Sequence, residues 1–88
     1  MIRYDRLPEH MQDDARAYVE RGRLSGGFFR AVIGNQLVEA FGRADGVNAA
    51  AMQDWARWLY NDAPSACWGS PEKISAWIDS GGMTGSAE

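Results

Sequence analysis

Eighty-eight residues, 45% of them hydrophobic and 24% charged, fill one globular domain and exclude a multidomain protein or a disordered chain. Twelve acidic against nine basic residues give a net charge of −3, a weak footprint for binding nucleic acid through a basic face. One cysteine and one histidine exclude an internal disulfide and any metal site built mainly on those ligands.

The first helix is predicted over 8–21. Pro8 is pre-organised for a first turn, and Glu9, Asp13 and Asp14 sit toward the positive end of the dipole. Met11, Ala15, Tyr18 and Val19 share one stripe, and Gly22 supplies a left-handed stop. Ser25 reads as the N-cap of a short, very apolar helix over about 26–33. After Gly34, Asn35 reads as the cap of a helix from Gln36 to Phe41, with Leu37, Val38 and Phe41 facing inward and Gly42 ending it. A strand over the phenylalanine-rich segment would have no partner strand.

Asp45 or Asn48 caps the next helix, which is predicted to run to about Tyr60. Its stripe is Val47, Ala51, Met52, Trp55, Trp58 and Leu59; Asp54, Arg57 and Asn61 take the wet side. Pro64 prevents continuation. Ser70-Pro71-Glu72 is the clearest start in the chain, with Ile74, Trp77 and Ile78 inward and Gly81 as the stop. The expectation is an all-α, compact single domain of four to five short helices over residues 1–80, followed by a flexible tail, 81–88. No apolar run approaches ~18 residues, and Met1-Ile2-Arg3-Tyr4-Asp5 lacks the apolar stretch of a signal peptide. A cytoplasmic protein without membrane association follows as the expectation.

Catalytic groups are sparse. Cys67 and His10 stand 57 positions apart with no motif linking them, so an inert, partly buried thiol is the better reading. Asp13 and Asp14 are adjacent on a helix and splay apart, which suits dipole compensation rather than proton sharing. Ser25-Gly26-Gly27 lacks the lysine of a phosphate-binding loop and follows a helix, not a strand. No cofactor, no metal and no enzymatic activity are expected.

Two binding surfaces remain. Residues 1–30 carry a balance of +1 and residues 31–88 one of −4. The basic concentration is Arg16, Arg21, Arg23 and Arg30; with Arg21, Arg23 and Arg30 it could serve a helix-turn-helix on DNA, although the helix after Gly27 is almost wholly apolar. The loop from Leu59 to Pro71 is the more unusual feature. It sets Tyr60 and Trp68 among turn prolines and small polar residues, with Asn61, Asp62 and Glu72 as a polar, acidic rim. A tryptophan there is either a lid over the core or an interface anchor.

Leu7-Pro8-Glu9-His10-Met11, Tyr18-Val19-Glu20-Arg21-Gly22, Gly27-Phe28-Phe29-Arg30-Ala31-Val32 and Glu39-Ala40-Phe41-Gly42-Arg43-Ala44-Asp45 occur in order. Leu59-Tyr60-Asn61 and Cys67-Trp68-Gly69-Ser70-Pro71-Glu72-Lys73 follow. This series, over about residues 5–80, resembles a family of small proteins encoded by tailed bacteriophages and prophages of GC-rich proteobacteria. The resemblance brings no catalytic residues. It implies a non-enzymatic protein that binds and blocks a host protein complex, an anti-CRISPR protein acting on a CRISPR-Cas effector being the most specific form. On that reading Tyr60 and Trp68 anchor the contact with Asn61 beside them, and Asp54, Asp62 and Glu72 oppose basic residues of the partner. The alternatives are a small DNA-binding accessory protein and a self-associating virion structural or assembly protein.

Overall fold

Helix α1 (Glu9–Arg21) is followed by α2 (Gly27–Ile33), α3 (Leu37–Arg43), α4 (Gly46–Ala50) and α5 (Met52–Asn61), then a 3₁₀ turn (Ser65–Cys67) and α6 (Pro71–Ser80). This computed structural model describes residues 2–83, and no strand occurs among them. The radius of gyration, 11.9 Å, matches the ~12 Å of a single compact domain this long.

The core is organised by aromatic rings. Tyr18 of α1 meets Phe29 of α2 edge-on at 5.4 Å, and Phe29 and Phe28 lie 5.7 and 5.5 Å from Trp55 of α5. Trp55 continues to Trp58 and Trp58 to Tyr4, each at 6.1 Å. Each such pair adds about 0.5–1.5 kcal/mol beyond its burial. The chain of rings therefore ties the segment before α1 to α1, α2 and α5, and lets a thin core suffice. Ile33, Val19, Cys67 and Ile74 close it from the remaining sides.

Several polar groups of the core are satisfied by side-chain bonds, while the buried Trp58 indole N–H has no hydrogen-bond partner. The Tyr18 hydroxyl donates to the Cys67 carbonyl at 2.7 Å, and the Trp55 indole N–H donates to Asn48 Oδ1 at 3.3 Å. The Trp77 indole N–H donates to the carbonyls of Tyr18 and Val19, 3.0 and 3.2 Å away, in the last turn of α1, where the Tyr18 carbonyl also accepts from the Gly22 N–H at 2.8 Å. Beside it the two backbones nearly touch: a Cβ built on Gly82 would lie 2.5 Å from the Gly22 nitrogen.

Helix ends follow their chemistry at several points. Gly22 (φ 69°) and Gly81 (φ 80°) are left-handed stops. Asp45, not Asn48, caps α4, accepting from the Asn48 N–H at 2.7 Å, and Ser70 caps α6 through the Lys73 N–H at 3.2 Å.

Other expectations are corrected. The single helix expected up to Tyr60 is two. At Ala51 (φ −100°, ψ 12°) the N–H is shared between the carbonyls of Val47 and Asn48, a local tightening that ends α4 before α5 begins. Asn48, seven positions and about 20° around the helix from Trp55, lies inward on it, and Val47, turned further round, is left 59% exposed. Ser25 does not cap α2: Gly26 holds the N-cap position, and Ser25 Oγ is buried without a hydrogen-bond partner. Asn35 does not cap α3. It takes the left-handed turn (φ 62°) that reverses the chain, with Gln36 as the N-cap residue.

That reversal lays α3 on α2 through Ala40, whose small side chain permits a close approach. Leu37, Val38 and Phe41, expected inside, are therefore exposed. Helix α3 also runs past Gly42 to Arg43. Ile78 lies at the edge of the core rather than in it. Of the expected tail, Gly82 is buried against Gly22, and Thr84 to Glu88 lie outside the described residues.

Candidate functional site

The end of α5 and the loop after the 3₁₀ turn place Tyr60, Asn61 and Trp68 around one surface concavity of about 470 Å³. Asn35, Gln53, Ala56, Arg57 and Leu59 complete its lining. Tyr60 follows the inward pair Trp58 and Leu59 by one position, so helical rotation carries it out of the core, and it is 83% exposed. Trp68 is half-buried, packed against the core as a lid, and its indole N–H has no hydrogen-bond partner. The loop is held from both sides: the Gly69 N–H donates to the Ile33 carbonyl at 2.7 Å, and Lys73 Nζ reaches the Ser65 carbonyl at 3.2 Å. A fixed scaffold thus presents an exposed phenol, a tryptophan edge and two asparagines, a surface suited to binding another molecule.

The acidic residues expected to rim this loop are not among its lining. Asp62 has only 14% of its side chain exposed and lies 3.7 Å from Arg6 Nε, an ion pair within the chain. Asp54 and Glu72 are exposed and do not line the concavity. The one formal charge that does is Arg57, which sequence reasoning assigned to the wet side of the helix without a role. It lies one turn before Tyr60–Asn61, and that spacing was the available signal. Asn35 was missed because its left-handed turn was read as a cap.

A second, apolar groove of about 280 Å³ adjoins the first and runs between α3 and α5. Leu37 and Phe41 form one wall, with Met52, Trp55 and Leu59 opposite. No residue lining it is charged, and the amides of Asn35, Gln36 and Gln53 supply its polar groups.

Reactive chemistry is absent from both. Cys67 is fully buried, and burial pushes its thiol up to about 12, far from the range in which a thiolate attacks. His10 pairs with Asp45 at 3.0 Å on the surface, away from Cys67. His10, Asp45 and Ser25 do line a further concavity, yet Ser25 Oγ bonds to no group, so the imidazole is not placed to activate it. Among the described residues no three His, Cys, Asp or Glu side chains gather as a metal set.

The arginines of the DNA-binding alternative are all exposed, Arg21 at the end of α1, Arg23 just after it and Arg30 on α2. Helix α2, the expected recognition helix, has Phe28, Phe29, Ala31, Val32 and Ile33 buried. It is a core helix with only Arg30 available to read bases, which disfavours the helix-turn-helix reading. No described helix is long and apolar enough to cross a membrane. The chain matches no protein-family model, no curated protein and no solved structure. Function is therefore read from the surface itself.

Proposed function

We propose that the chain is a non-enzymatic binding protein that engages a host protein complex and blocks it, with the Tyr60–Trp68 concavity as the contact. The observation that supports this most is Tyr60 itself, standing 83% exposed over a concavity that Asn61 and the half-buried Trp68 also line. Amphipathic aromatics at the mouth of a firm depression are what interface hot spots are made of. The exposed Tyr60 phenol offers a hydrogen bond to the partner, an acidic side chain suits Arg57, and Asp54 and Glu72 meet bases farther out. The resemblance to phage-encoded proteins narrows the partner to a host defence machine, with a CRISPR-Cas effector as its most specific form.

Tagged protein incubated with nuclease-treated bacterial lysate tests this. A stoichiometric multi-subunit complex is expected on the wild type, and Tyr60→Ala should recover at least about 10-fold less of it, the loss of one hot-spot aromatic. Equal recovery by Tyr60→Ala removes the site assignment. Recovery of DNA alone, abolished by nuclease, overturns the function and returns it to Arg21, Arg23 and Arg30.

A further inference from the structure

Helix α3 carries a surface that none of the described residues covers. Leu37 is 65% exposed, Val38 86% and Phe41 49%, while Ala40 alone is buried. At 100° per residue the exposed part divides into three lanes. Leu37 and Phe41 lie on the flank that walls the apolar groove. Glu39 and Arg43 lie on the other flank, bonded to each other at 3.2 Å. Val38 and Gly42 form the crest between them, and a Cβ on Gly42 would meet no atom within 4 Å.

We propose that this crest is a self-interface, on which a second copy of the chain packs its own α3 antiparallel across a two-fold axis near Ala40. Such an axis matches every lane to itself within two positions. Val38 seats over the open Gly42 of the second copy. Leu37 meets Phe41 of the second copy along the groove flank, so each copy fills the other's groove. Glu39 meets Arg43 of the second copy on the far flank. Parallel pairing would instead set the Glu39–Arg43 flank against the apolar Leu37–Phe41 flank of the second copy, which buries charge against hydrocarbon and matches neither lane. The uncharged groove fits the same occupant, because charges close to a two-fold axis face their own sign.

The complementarity of α3 to itself, bulk against gap and acid against base, singles out a second copy over an unrelated protein. A stable dimer covers about 800 Å² per partner, roughly 15% of the 5290 Å² surface here. A seven-residue helix is only about 10 Å long. The contact is therefore small, and the dimer forms in a concentration-dependent way.

Sedimentation equilibrium on the full chain, over a series from about 1 μM to about 1 mM, tests it. The mass should rise from 9.7 kDa toward twice that value. Val38→Glu should hold 9.7 kDa throughout with an unchanged circular dichroism spectrum, since the side chain is exposed in the monomer. Gly42→Gln should raise the melting temperature at dilution, by improving the helix, and still abolish the mass increase. Tyr60→Ala should leave the mass series unaltered, which separates this interface from the proposed partner site. A wild type that stays at 9.7 kDa, or a dimer indifferent to Val38→Glu or Gly42→Gln, overturns the proposal.

Discussion

Cys67 and the phenols of Tyr4 and Tyr18 owe their chemistry to burial rather than to neighbours. Burial pushes the Cys67 thiol up to about 12. Burial, with Glu20 adding to it, pushes Tyr4 up to about 12, and Tyr18 is raised by burial and then by Cys67. In the unfolded chain the thiol loses its proton near 9.0 and the phenols near 10.0. Between those values and about 12 the folded state holds more protons, so stability is full below about pH 9 and falls as pH rises. The urea midpoint is expected to hold from about pH 7 to about pH 8.5 and decline above about pH 9. In Cys67→Ala the decline should begin near pH 10, where the phenols take over. A midpoint that stays flat to about pH 11 contradicts this. At this scale the sequence was legible wherever one side chain decides the outcome: the cap Ser70 and the stop Gly22 were read directly, and Asp45 was one of two caps the sequence offered for α4. Ser25 and Asn35 were misread because a capping residue type does not reveal whether the chain turns before or at that residue.

Helices were legible in number and place to within one, and so were the inward faces of α1 and α5, whereas the facing of α3 was not. Seven residues make two turns, and α3 has apolar side chains over most of its circumference, so periodicity could not choose between the Ala40 side and the Leu37–Val38–Phe41 side. Contact with α2 made the choice. In α4 the same competition between local pattern and packing put Asn48 inward on Trp55 and left Val47 outside. Two substitutions rank the devices that hold α6. Ser70→Ala removes the cap on the Lys73 N–H and should cost about 1 kcal/mol, lowering the melting temperature by about 4–8 °C. Gly82→Ala should cost more, because its backbone is left-handed (φ 72°) and the new Cβ would strike the Gly22 and Arg21 nitrogens at 2.5 and 2.7 Å. Calorimetry of the two variants side by side checks the order, and a milder Gly82→Ala would contradict it.

The molecule as a whole was legible as an all-α domain because indoles, caps and stops agreed on it. The candidate site was legible in part: Tyr60, Asn61 and Trp68 share a concavity as one loop suggested, whereas Arg57 and Asn35 join them only through packing. A consequence of the seam between α1 and the end of α6 belongs to folding kinetics. Trp77 and Tyr18 are 59 positions apart, so their bond closes a loop holding most of the chain, and the entropy of closure falls due before the contact forms. The seam should form late, after the transition state. Trp77→Phe, which loses both indole bonds, should then speed unfolding by about 10-fold while leaving the refolding rate nearly unchanged. Stopped-flow chevrons of the two proteins would show it as a shift of one limb only. The last bond made would then be the one that governs how long the native state survives.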